Sequence, residues 1–153
     1  MKGSRLLLSL VLAALVALAL AGAASAAKLD VADRGGRPLS TELTGASEVP
    51  PGDLDGSGTA TITVNPGQRE VCHELSVADI TLPAMAAHIH VGVAGQNGPI
   101  VVPLVAPDAN GVSSGCAQVS RELALAIIQD PENYYVNVHT TDFENGALRG
   151  QLP

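Results

Sequence analysis

Ala87-His88-Ile89-His90-Val91 places two imidazoles one residue apart, and a third, His139, ends the run Tyr135-Val136-Asn137-Val138-His139. Both stretches read as strands, and successive side chains of a strand point to opposite faces. His88 and His90 therefore share one face while Ile89 and Val91 take the other, and Tyr135, Asn137 and His139 lie opposite Val136 and Val138. If the two strands are neighbours, three imidazoles converge on one outer patch. A His-x-His pair with a remote His on a β-scaffold is a donor set that suits Cu or Zn and leaves a position for water or a ligand. The competing reading is structural, with these rings hydrogen-bonded to Asn137, Thr140 or loop backbone so as to hold the Gly-rich turn that follows His90.

Other residue patterns carry less chemistry. His73 sits in the alternation Val71, His73, Leu75, Val77 and reads as a core or edge histidine. Asp53-Leu54-Asp55-Gly56-Ser57-Gly58 imitates the first half of a calcium loop. Val64 stands where the bidentate Glu is needed, so the segment reads as an acidic turn. The loop with Gly92, Gly95 and Gly98 neither opens a helix nor contains Lys, and is a strand connection rather than a phosphate cradle. No catalytic residue stands out, and the balance favours a non-enzymatic protein.

The elements that must position the histidines are short β-type segments punctuated by Gly, Pro, Asn and Asp. Leu39 to Gly45 is a first strand. Gly58 to Asn65 alternates Ala60, Ile62 and Val64 against Thr59, Thr61 and Thr63, and Arg69 to Ala78 returns after the turn Asn65-Pro66-Gly67-Gln68. Ala87 to Val91, Ile100 to Val105, Gly115 to Val119, Tyr134 to Thr140 and Ala147 to Leu152 complete the set, the last two joined at Glu144-Asn145-Gly146. The one helical pattern is Ser120 to Asp130, with Ser120 as cap, a stripe of Leu123, Ala124, Ile127 and Ile128, and Pro131 as terminator. The expected fold is all-β, an antiparallel β-sandwich or barrel of about 7 to 9 strands with one short helix near residues 120–130.

The chain opens with Lys2 and Arg5, runs apolar from Leu6 to about Ala21 and reaches Ala24-Ser25-Ala26-Ala27, the layout of a signal peptide cut after Ala26 or Ala27. That predicts a signal peptide over 1–26, a flexible lead over 27–38 and one β domain over 39–153, with no membrane span after cleavage. Export would deliver Cys72 and Cys116, the chain's two cysteines, to an oxidising compartment, where they are expected to pair. A metal pair of cysteines is disfavoured, because they lie far apart without a Cys-x-x-Cys.

After cleavage Lys28, Arg34, Arg37, Arg69, Arg121 and Arg149 face fifteen acids, a formal charge of −9. Such a surface argues against nucleic-acid binding and docking on anionic lipid, both of which draw on clustered Lys and Arg, and leaves cations admissible. Tyr134, Tyr135 and Phe143 are the only aromatic residues, too few for stacking platforms on sugars.

Three stretches together resemble the CHRD domain, a module named for its repeats in chordin. They are Leu43-Thr44-Gly45-Ala46-Ser47-Glu48-Val49-Pro50-Pro51; His88 through Pro99; and Tyr135 through Thr140 followed by Gly146-Ala147-Leu148-Arg149-Gly150-Gln151-Leu152. They span about residues 39–152, almost all of the chain after cleavage. The resemblance implies a secreted β-rich module and makes Glu48, Pro50, Pro51, Gly92, Gly95, Gly98, Asn137, Arg149 and Gln151 motif residues with structural roles, Glu48 as an acceptor for Arg149 among them. It does not carry growth-factor antagonism, since chordin's other cysteine-rich modules are missing. The His-x-His strand is also similar to that of copper/zinc superoxide dismutases. Those enzymes need further histidines on a long loop, and no His lies between His90 and His139. The expected function is an extracellular binding or structural module for an extracellular or cell-envelope partner. One rival reading is a copper- or zinc-binding protein using His88, His90 and His139 for carriage or redox chemistry; another is recognition of a partner strand at an exposed sheet edge.

Overall fold

A computed structural model describes residues 35–153. The predicted signal peptide and all but the end of the predicted lead lie outside the described residues. The strands are β1 (Arg37–Thr44), β2 (Ser57–Asn65), β3 (Glu70–Ala78), β4 (Ala86–Val91), β5 (Ile100–Leu104), β6 (Val112–Gln118), β7 (Tyr134–His139) and β8 (Leu148–Gln151), with one helix, α1 (Arg121–Gln129), between β6 and β7. All eight strands belong to one sheet in the order β5-β4-β7-β8-β1-β2-β3-β6. Every pairing is antiparallel. The end strands β5 and β6 approach each other, so the expected all-β fold takes the form of a nearly closed barrel.

Alternation explains the barrel's inside. Ala60, Ile62 and Val64 of β2, Val71, Leu75 and Val77 of β3, Ile89 of β4, Val136 and Val138 of β7, and Leu148 of β8 are buried together. Each aliphatic side chain of this size contributes roughly 1.5–3 kcal/mol on leaving water. The short helix adds Ala124 and Ile127 to the same core. Its ends are satisfied by side chains: Ser120 Oγ accepts from the Leu123 amide at 3.1 Å, and Arg37 Nη1, from β1, donates to the Ile128 carbonyl at 2.8 Å.

Small residues and one histidine manage the close approaches. A Cβ on Gly150 of β8 would meet Leu43 Cδ2 at 2.7 Å, which only glycine avoids where β1 and β8 come together. At the seam, the amide of Val105, just past β5, donates to His73 Nε2 on β3 at 3.2 Å. His73 is a buried core residue and links β3 to the far end of the sheet.

Cys72 and Cys116 are direct partners in the β3–β6 register and form the expected disulfide. Most strand boundaries lie within one residue of the sequence reading, and two differ by more. β1 begins at Arg37, because Arg37 and Pro38 already pair with Val64 and Thr63. β6 begins at Val112 rather than Gly115, since β3 offers a continuous partner edge back to Ser76 and Val-Ser-Ser needs no propensity of its own to fill it. Among the described residues no helix is long and apolar enough to cross a membrane.

Candidate functional site

Register alone assembles the outer face of β4, β7 and β8. His88 lies opposite Asn137 and His90 opposite Tyr135, while across the next pairing Asn137 lies opposite Arg149 and Tyr135 opposite Gln151. His139 is opposite Ala86, one diagonal step from His88. The three imidazoles therefore meet: one ring nitrogen from each of His88, His90 and His139 lies within 4.8 Å of the other two. His88 Nδ1 and His139 Nε2 are 3.2 Å apart. The ring centroids are 5.1 Å apart for His88–His139, 5.7 Å for His88–His90 and 6.4 Å for His90–His139.

Two of the rings have their tautomers set by backbone. His90 Nδ1 is 2.8 Å from the Gly98 carbonyl and His139 Nδ1 is 2.9 Å from the Glu144 carbonyl. A carbonyl oxygen can only accept, so each Nδ1 bears the proton and, in the neutral ring, each Nε2 presents a lone pair. His90 Nε2 is buried without a hydrogen-bond partner, as is Asn137 Oδ1 on the same face. Burial depresses the basicity of His88 and His90, and the neighbouring imidazoles lower it further, so both are held neutral to lower pH than an exposed histidine. All three histidines are half-buried.

Next to the histidines a polar network is buried under the 92–99 loop. Arg149, 1% exposed, donates through Nη2 to the Val93 and Gln96 carbonyls at 3.0 and 2.9 Å and through Nη1 to Asn97 Oδ1 at 3.4 Å. Its guanidinium lies 3.4 Å from the centroid of Tyr135, and His90 stacks on the same ring at 4.8 Å and 9°. Tyr135 OH accepts from the Gly98 amide, and Gln151 Nε2 donates to the Gly92 carbonyl at 2.9 Å. Gly95 has φ +78°, and a Cβ on Gly98 would overlap the Val91 carbonyl, so the loop closes this tightly only with glycine. Asn97 ties the loop to the carbonyl of half-buried Val49 at 2.6 Å, on the segment that continues through exposed Pro50 and Pro51.

Glu48 is buried and accepts from Asn137 Nδ2, not from Arg149 as the motif suggested. Arg149 acts on it only through its field. Burial pushes the Glu48 carboxyl above its ordinary value, against the lowering effect of its hydrogen bonds and of Arg149. Gly146, with φ +138°, makes room for this pair, since a Cβ there would strike both Glu48 Oε1 and Asn137 Nδ2.

Tyr135 as a shared platform, and the Glu144 carbonyl as an anchor for His139, were not foreseen as site groups. Tyr135 carried a signal, since it shares the histidine face of its strand. The Glu144 carbonyl carried none, because a backbone acceptor leaves no trace in residue type. His73 belongs elsewhere, at the barrel seam. A second grouping, Glu70 with Cys72 and Cys116, offers no thiolate because the two sulfurs are bonded to each other.

A nearly closed, disulfide-bonded barrel with a loop clamped over a histidine-bearing outer face defines a compact extracellular-type module. The chain belongs to the CHRD domain family, whose model matches residues 39–152. No curated protein and no solved structure matches it.

Proposed function

We propose that this protein is exported, cut after Ala26 or Ala27, and acts outside the cytoplasm as a binding module whose ligand-facing surface is the histidine patch of β4 and β7. One observation carries the reading: the side-chain hydrogen bond that His88 makes among the described residues is to another histidine, His139. A histidine kept for the fold would be tied to the scaffold, as His90 and His139 are tied to carbonyls. His88 is half-exposed and spends its polarity within the patch, as expected of a group held ready for something from outside.

The stability of ligand-free His88→Ala, measured by urea unfolding, decides between a binding and a structural face. A change within about 1 kcal/mol is expected, as for a side chain outside the core. A loss above about 2 kcal/mol would return His88 to the scaffold and end the binding reading. N-terminal sequencing of protein recovered from the culture medium should begin at Ala27 or Lys28.

A further inference from the structure

We infer that the ligand of this face is a single borderline divalent metal ion of the zinc and copper class, held by His88 Nδ1, His90 Nε2 and His139 Nε2. The inference rests on the binding-face reading above and gives it a ligand. Four observations lead to it. One ring nitrogen from each of the three histidines already lies within 4.8 Å of the other two. The 3.2 Å between His88 Nδ1 and His139 Nε2 is close to the roughly 3.3–3.4 Å separating two ligands on a tetrahedral ion with bonds of about 2.0–2.1 Å. His90 Nε2 is a buried lone pair with no donor to satisfy it, a cost that coordination would remove. Finally, His90 and His139 each donate Nδ1–H to a backbone carbonyl, the outer-shell arrangement that orients a metal-bound imidazole and raises its basicity.

The donor set selects the class of ion. Three neutral imidazoles without a carboxylate suit zinc and copper, whereas calcium and magnesium need oxygen ligands. The strongly acidic surface raises the local concentration of any cation. Three protein ligands leave a fourth position for water.

The proton balance is closed. Without metal, His139 Nε2 is a lone pair, so the 3.2 Å contact is an Nδ1–H of His88 donating to it. On coordination that proton leaves His88 Nδ1 through solvent and the ring takes one up at Nε2, so the imidazole stays neutral and no net proton is released. His90 Nε2 must close by up to about 1.5 Å to complete the tetrahedron.

Mature, untagged protein should be offered zinc and copper(II) separately, freed of excess ion by gel filtration and assayed for bound metal. One equivalent of either ion is expected, with magnesium and calcium not retained. The double variant His88→Ala/His139→Ala should bind at least tenfold more weakly, and His73→Gln should bind as the parent does. If the double variant loses its circular dichroism, His88→Ala alone must show the tenfold loss. Imidazole nitrogen chemical shifts of the zinc form should mark His88 Nδ1, His90 Nε2 and His139 Nε2 as the bound atoms. Less than a tenth of an equivalent in folded protein, or full binding by the double variant, overturns the site. Should metal be refused while His88→Ala keeps its stability, the face binds something else; should both fail, the binding reading falls as well.

Discussion

The two halves of this barrel treat their outer faces in opposite ways. Along β2, β3 and β6 the outside is wet: Thr59, Thr61, Thr63, Glu74, Ser76 and Ser114 are exposed or half-exposed, while Ala60, Ile62, Val64, Val71, Leu75 and Val77 are buried. Along β7 and β8 both faces are covered, so that Tyr135, Asn137 and Arg149 are as buried as the valines behind them. The first half closes with a covalent bridge and the second with hydrogen bonds from a buried guanidinium to loop carbonyls. Burying Arg, Glu and Asn on a small barrel is an expensive way to gain stability, since each must recover its lost hydration through partners. The wet half shows that this chain can build strands without that device. The network therefore has a second task, to fix the loop, and through the Gly98 carbonyl the orientation of His90, beside the three-histidine patch.

The largest expected effect sharpens the contrast from the wet side. Removing the bridge with Cys72→Ala/Cys116→Ala should lower global stability by about 4 kcal/mol, given the 44-residue separation of the cysteines. Amide exchange of the 92–99 loop should remain as slow relative to global unfolding as in the parent. Preferential loss of loop protection would mean that the two halves are not separately braced.

Arg149→Met comes next, at about 3 kcal/mol, because buried carbonyls lose their donor and the methionine cannot replace it. Here the damage should be local, with faster exchange of the Gly98 amide. A uniform destabilisation that left the loop protected would break the assignment of Arg149 as the loop's clamp.

Acid should act through His73. Burial holds its folded pKa below the unfolded value of 6.5, and a protonated ring could not accept from Val105. The unfolded chain takes the proton first, so this contribution is fully present above 6.5 and is lost as the pH falls through the folded value. His88 and His90, lowered for the same reason, add in the same direction. Glu48 has the opposite sign: its raised folded pKa makes its contribution greatest below the unfolded value and smaller as pH rises through the folded one. Urea midpoints measured from pH 7 to 5 should therefore fall less for His73→Gln than for the parent. An identical slope would show that the seam histidine is not held neutral.

The smallest effect completes the comparison. Glu74→Gln on the wet face of β3 should shift stability by no more than about 0.5 kcal/mol. A larger change would mean that this face is less passive than its exposure indicates.

Most of the fold was legible because strand alternation and turn chemistry are local. Val-Thr alternation on β2, Asn65-Pro66-Gly67 after it, and Ser120 before α1 each act within a few residues, and the elements fall where those signals put them. The misplaced start of β6 has the opposite cause, a strand edge supplied by β3 that Val112, Ser113 and Ser114 do not encode themselves. Glu48 shows the same limit at the site: a buried acid and a buried Arg in family-like stretches suggest a pair, yet Asn137 lies directly opposite Arg149 and takes the carboxylate instead.

Residue order by itself determined that His88 and His90 share a face, that Val136 and Val138 turn inward, and that two cysteines were available to pair, because side-chain alternation and composition are properties of the chain alone. Only the tertiary structure decided that β4 and β7 are neighbours, which brings His139 to within 3.2 Å of His88. It likewise decided which ring nitrogens carry protons, because the Gly98 and Glu144 carbonyls that hold them are backbone groups common to every residue and gain meaning only from where the barrel places them.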